Sequence, residues 1–274
     1  MKLINIILSS VLIMGLATSC GSNGNTKKAA AKDDGFVSIF DGKTTTGWRG
    51  YNKPAFPAEG WTVVDGTLHC IESGTGEAGN GGDIIYDKKL SNFELDLEWK
   101  IGKGGNSGIF ILAQEIPNDP IWKSAPEMQV LDNDNHPDAK LGKDGNRMAG
   151  SLYDLVPAKP QNAKPFGEWN HIHILCYQGT VVYSMNGANV VEYHLWTEDW
   201  KKMISDSKFK DFPNFLNPAK EGFIGLQDHE LSGFCFFGNQ GCLNFIEDDG
   251  SACHFLALNN FKHYKPPEIQ MVMN

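Results

Sequence analysis

The stretch that decides the fold is "FELDLEWKI", residues 93–101. Phe93, Leu95, Leu97, Trp99 and Ile101 alternate without a break against Glu94, Asp96, Glu98 and Lys100. Successive side chains of a strand face opposite sides, so this period of two predicts a strand with one buried and one charged face. Working outward, "SGIFILA" (107–113) is apolar on both faces and predicts a central strand. "WTVVDGTLHCI" (61–71) is two short runs around Asp65-Gly66, a hairpin signal. "HIHILCY" (171–177) and "TVVYSMNGANVVEYHL" (180–195) add strands and a second hairpin turning at Asn186-Gly187, and "GFIGLQDH" (222–229) adds another strand. "WTEDWKKMISDSKF" (196–209) is the one short helix predicted. Many strands joined by turns, without βα alternation, predict an all-β sandwich or jelly roll.

With 274 residues, of which 41% are hydrophobic, the chain can bury a large core. Its net charge of −9 argues against nucleic acid and against adhesion to anionic membrane surfaces, and is compatible with a neutral partner such as a sugar. The first residues stand apart. Lys2 precedes an apolar run, Leu3 to Leu16, shorter than the roughly 20 residues that span a bilayer. Ala17-Thr18-Ser19-Cys20 follows, small residues before a cysteine, resembling a bacterial lipobox. Residues 1–19 are therefore expected to be a lipoprotein signal peptide, with Cys20 acylated as the anchor in the bacterial envelope, periplasm or outer membrane. Residues 20–35 form a flexible polar tether. Export permits disulfides, but Cys70, Cys176, Cys235, Cys242 and Cys253 are odd in number and lack metal-like spacing. Cys70 and Cys176 sit in strand-like runs as expected buried thiols.

The polar faces of the strands suggest a site. In "APEMQVLDNDN" (125–135) Met128 and Val130 point one way, and Glu127, Gln129 and Leu131 the other. In "GFIGLQDH" Gln227 and His229 share a face with Phe223 and Gly225. "GGNSG" (104–108) presents Asn106 and Ser107 in a glycine-rich turn beside the central strand. A sheet face carrying carboxyl, amide and imidazole groups, with Trp48, Trp61, Trp122 or Trp169 as a stacking wall, is suited to binding a sugar. No Gly-x-Ser-x-Gly elbow and no dinucleotide fingerprint is present.

Seven blocks extend this reading. "FVSIFDGKTTTGW", "GWTVVDGTLHC", "NFELDLEWKIGKGGNSGIF", "PEMQVLDN", "AGSLYDL", "GEWNHIHI" and "GFIGLQDH" occur in an order that resembles the DUF1080 family, also named 3-keto-disaccharide hydrolase. The resemblance covers residues 36–229 and implies a concanavalin A-like jelly-roll β-sandwich active on 3-keto-glycosides. The tail departs from the family pattern. Residues 230–274 lack clear alternation and hold three cysteines. A shifted reading frame or a recent extension would account for it and would leave the sheet without its closing strand.

The implied chemistry sets requirements. A ketone at sugar C3 acidifies the C2 hydrogen, whose removal lets the C1–O bond leave by elimination, and water can then add. Such a site needs a base, an acid and enolate stabilisation. Glu127 and His229 are the candidates for base and acid, while Asn106, Gln129, Gln227 and Tyr153 are the candidates for substrate contacts. A separate oxidoreductase would supply the ketone. "LDNDNHPDAKLGKDGN" (131–146) with His136 is rich in oxygen donors and could hold a divalent cation, or simply make turns. Two alternatives come from other classes. One is a non-catalytic carbohydrate-binding lipoprotein. The other is a laminarinase-like β-glucanase using Glu94 and Glu98 of "ELDLE".

Overall fold

The computed structural model of the chain describes residues 36–71, 81–229 and 235–245. Among them run β1 (Val37–Ser38), β2 (Trp48–Gly50), β3 (Trp61–Val64), β4 (Thr67–Cys70), β5 (Ile84–Tyr86), β6 (Phe93–Ile101), β7 (Asn106–Ala113), β8 (Glu127–Leu131), β9 (Asn170–Tyr177), β10 (Thr180–Met185), β11 (Ala188–His194), α1 (Glu198–Ser205), β12 (Phe223–Leu226) and β13 (Cys235–Phe245). They form two antiparallel sheets. The larger has eight strands in the order β11-β10-β9-β6-β13-β4-β3, with β1 also paired to β13. The smaller runs β2-β5-β12-β7-β8. This is the jelly-roll sandwich that the strand and turn signals predict.

The core lies between the sheets. The odd residues of β6 point into it and are at most 4% exposed, while Glu94, Asp96, Glu98 and Lys100 stay outside. From the smaller sheet Ile109, Ile111, Met128, Val130, Ile224 and Leu226 meet them. Leu131, expected beside Glu127 and Gln129, packs into this core instead. Both faces of β7 are buried. Its outer face carries Phe110 and Ala113, which join Ile85, Ile121, Ala125 and Phe223 in a second apolar cluster. The turns follow their sequence signals: Asp65-Gly66 and Asn186-Gly187 both have the positive φ that such hairpin turns require. Helix α1 is capped by Thr197, whose hydroxyl accepts from the Trp200 N–H at 3.2 Å, and it buries Trp200 and Ile204. Cys70 and Cys176 are buried, and burial pushes Cys176 up to about 12.

The expectation of a missing closing strand is corrected. The backbone of β13 lies inside the larger sheet, pairing with β6 along one side from Cys235↔Ile101 to Phe245↔Phe93. Its other side is shared, first by β4 and then by β1. Residues 235–245 of the tail thus fill an interior position in the sheet. The segments expected to be a signal peptide and a tether, with Cys20, and also Cys253 lie outside the described residues.

Candidate active site

Three neighbouring strands of the smaller sheet make the floor of a cavity of about 270 Å³. β8 contributes Glu127 and Gln129, β7 contributes Asn106, and Gln227 and His229 extend from the end of β12. The strand period turns all five outward while Met128, Val130 and Leu226 face the core. The structure therefore brings together every residue expected to meet here, Tyr153 included. Gly108 stands opposite Gln129 on β7, and the Glu127 side chain lies across it. A Cβ at 108 would collide with the Glu127 carboxyl, so this glycine gives the acid its place.

The edge of β8 is covered by residues 150–153. The Gln129 N–H donates to Ser151 O at 3.0 Å, and the Tyr153 N–H to Glu127 O at 3.0 Å. This places Leu152, Tyr153 and Leu155 on the cavity wall. Cations bracket the Tyr153 ring: Lys208 Nζ is 4.4 Å and Arg147 Cζ 5.5 Å from its centroid. Both cations are themselves paired, Lys208 with Asp154 at 3.1 Å and Arg147 with Asp154 at 2.6 Å and Asp138 at 2.9 Å. The remaining wall is aromatic. Phe209 and Phe215 stack at 4.5 Å, Phe212 meets both edge-on, and Trp122 approaches Phe212 at 5.5 Å. The Trp200 indole anchors this loop by donating to Phe215 O at 2.6 Å.

The floor is electrostatically unusual. Burial raises Glu127 from its ordinary value of 4.5 to about 8; Lys208 pulls it down, and Asp83 and Asp138 push it further up. Around it, Asn106 Oδ1, Gln227 Oε1 and both amide atoms of Gln129 are buried without a hydrogen-bond partner. Gln129 is only 1% exposed, so its amide faces a full desolvation penalty unless a ligand satisfies it. Burial also raises the Tyr153 hydroxyl, with Asp138 adding to the effect. His136 accepts the Asp138 N–H on Nδ1 at 3.1 Å, which leaves Nε2 to carry the proton, buried and unpartnered. Its pKa is lowered first by burial; neighbouring His229 acts in the same direction, and Asp138 and Asp132 oppose.

Other expected groups lie elsewhere. Trp122 lines the cavity, whereas Trp48 and Trp61 are core residues donating to Ile39 O and Gly82 O. Trp169 carries Lys100 over its ring at 4.9 Å. Several side-chain oxygens of 131–146 are taken up locally. Asp132 accepts from Gly104 N, Asn135 Nδ2 and Asp134 N, Asn133 from Ala149 N, and Asn146 from Lys143 N. Among the described residues no group of three His, Cys, Asp or Glu side chains is placed to hold a metal ion. Glu94 and Glu98 belong to the outer face of the larger sheet, where Asp96 between them is bound by His171 at 2.9 Å, so the "ELDLE" motif does not line the cavity. Sequence reasoning missed Lys208, Leu152, Leu155 and the three phenylalanines. The spacing of three between Phe209, Phe212 and Phe215, in an otherwise polar loop, was the available signal.

A two-sheet sandwich whose outer face holds amides, a carboxyl and an imidazole under an aromatic wall defines a carbohydrate-active protein of the concanavalin A-like jelly-roll class. Residues 35–238 match the 3-keto-alpha-glucoside-1,2-lyase-like domain, and the chain belongs to that family. It is 55% identical, over 216 residues, to a 3-keto-disaccharide hydrolase of Bacteroides thetaiotaomicron, an alignment covering 72% of this chain and 74% of that protein. A solved Parabacteroides distasonis protein, described as a candidate glycosyl hydrolase, shares 28% identity with a TM-score of 0.68, covering 78% of this chain and 95% of that one. A second such protein from the same organism shares 25% identity with a TM-score of 0.58, covering 73% and 99%. The chain is thus a glycoside-cleaving enzyme, hydrolase or lyase, which sets aside the non-catalytic alternative.

Proposed function

We propose that the enzyme cleaves 3-keto-glycosides by removing the C2 proton and expelling the C1 oxygen. The observation that carries this reading is the set of unpartnered buried amides around one proton-holding carboxyl, Glu127, in the cavity that His229 also lines. A sugar supplies what these amides lack, in both donors and acceptors. At neutral pH a carboxyl raised to about 8 keeps its proton, so Glu127 is the general acid and His229 the base. His229 takes the C2 proton, and the C2–H pair forms the enolate, whose oxygen is met by amide N–H groups from Gln129 and its neighbours. When C3=O re-forms, the pair moves to C1=C2 and the C1–O bond breaks. Glu127 gives its proton to the departing oxygen. Addition of water across C1=C2 yields the 3-keto sugar. The loop aromatics exclude bulk water and present apolar faces to the rings of the substrate.

The ketone arrives on the substrate. A separate oxidoreductase supplies it, in keeping with a sequence that carries no dinucleotide fingerprint. Anchoring at the bacterial envelope through Cys20 belongs to the same proposal, and Cys20→Ala should move the protein from the membrane pellet to the supernatant.

The test is incubation with a 3-keto-disaccharide, following free sugar and the enone absorbance. Turnover should slow with substrate deuterated at C2. Binding without any product, or Glu127→Gln working at the wild-type rate, would overturn the assignment.

A further inference from the structure

We propose that Asp83 is a positioning residue: with Asp228 it forms a reciprocal clasp between the ends of two strands that holds Gln227 and His229 facing the cavity. The inference rests on that cavity being the active site.

The clasp begins where ordinary pairing stops. β12 pairs with β5 through Gly225↔Ile85 and Leu226↔Ile84, and Asp83 immediately precedes β5. Beyond this point side chains replace the ladder. The Asp83 carboxyl accepts the Asp228 N–H at 3.0 Å. The Asp228 carboxylate accepts the Gly82 N–H at 2.9 Å, the Gly81 N–H at 3.2 Å and the Cys70 thiol at 3.3 Å. Each carboxyl therefore grips the backbone of the other segment. Gly60 and Gly81 approach so closely beside Asp228 that a Cβ on either would strike the other's backbone. The segment is pinned from β7 as well: the Gln227 N–H donates to Gly108 O at 3.0 Å, and the Ser107 hydroxyl to Gln227 O at 2.8 Å. With the backbone at 227 and 228 fixed and Asp228 turned inward at 1% exposure, Gln227 and His229 fall on the cavity side.

The groups facing Asp83 are Asp228, Glu127 across the floor, Tyr51, whose N–H donates to Asp83 O at 2.8 Å, and Lys53, whose Nζ donates to Gly81 O at 2.6 Å. Burial raises Asp83 to about 7; the Asp228 N–H opposes this, the Asp228 charge adds to it, and Lys53 opposes it. Asp83 in turn pushes Glu127 up. Loss of charge at 83 should therefore lower the pH above which Glu127 gives up its proton, while loss of the acceptor should release the clasp.

Asp83→Asn and Asp83→Ala separate the two effects. Each variant of the full chain is assayed with a 3-keto-disaccharide from pH 5 to 10, beside wild type and Glu127→Gln, and its Tm is recorded. Asp83→Asn keeps an acceptor, so near pH 6 its kcat/KM should stay within about threefold of wild type, with the alkaline limb displaced to lower pH. Asp83→Ala should lose about tenfold or more in kcat/KM at every pH, as misplacement of reacting groups does. A folded Asp83→Ala equal to Asp83→Asn, or an unmoved alkaline limb in Asp83→Asn, overturns the proposal. If Asp83→Ala does not fold, the limb of Asp83→Asn decides alone. Wild-type protein that leaves the substrate untouched sinks the proposed function and this inference together; wild-type turnover with unaltered Asp83 variants sinks only the inference.

Discussion

At the scale of the residue, Glu127 sets function against stability. It ionises near 4.5 when unfolded and near 8 when folded, so between those values the folded chain binds the extra proton. Stability from this group is therefore lost as pH rises from about 4.5 to about 8, and the deficit stays constant above. Glu127→Gln should abolish turnover yet raise Tm at pH 8 by about 5 °C, with the gain shrinking toward pH 5. Thermal melts at the two pH values check this, and an equal gain at both would contradict it. Gly108→Ala tests the same group sterically. The added methyl must displace the Glu127 carboxyl, so kcat should fall about 100-fold, read from initial rates at saturating substrate. These floor residues were legible in the sequence because alternation in β8 and at the end of β12 is a local rule. Lys208 was not, since a loop lysine reaches Tyr153 and Asp154 only through tertiary placement.

At the scale of the element, the loop after α1 shows what local rules miss. Its three phenylalanines have no strand or helix period; they pack face-to-face and edge-on with one another, and the Trp200 indole fixes the loop through Phe215 O. Their depths differ, and so should their effects. Phe215 is 3% exposed and part of the core, so Phe215→Ala should cost about 3–5 kcal/mol in urea unfolding. Phe212 is half-buried at the cavity against Trp122, so Phe212→Ala should raise KM several-fold with a small change in Tm. β13 was illegible for a related reason. Its sequence, "CFFGNQGCLNF", sets two phenylalanines side by side and breaks twice at glycine, so no period of two like that of β6 stands out.

At the scale of the molecule, the two faces of the sandwich carry different loads. The smaller sheet bears the cavity, while the outer face of the larger one bears an ion pair. Burial raises the Asp96 carboxyl, but hydrogen bonds from His171 and His173 outweigh it and hold it below its ordinary value; Asp96 in turn raises His171. The carboxyl's share of this stability is present above its unfolded value and lost as pH falls through the lowered one. The imidazole's share is present below 6.5 and lost as pH rises through the raised value. Asp96→Asn should therefore lower Tm more at pH 5.5 than at pH 9, in melts across that range.

The position of β13 also bears on how the chain reaches this state. Its neighbours β6, β4 and β1 are all made long before it, yet none of them can complete its hydrogen bonding until residues 235–245 have emerged. Contacts of such sequence separation form late and slowly. Without β13 the strands of the larger sheet fall into separate groups, β11-β10-β9-β6 on one side and β4-β3 on the other. Assembly behaves like a drawer closed by its last board, and a ribosome halted before codon 235 would hold a product unable to finish folding.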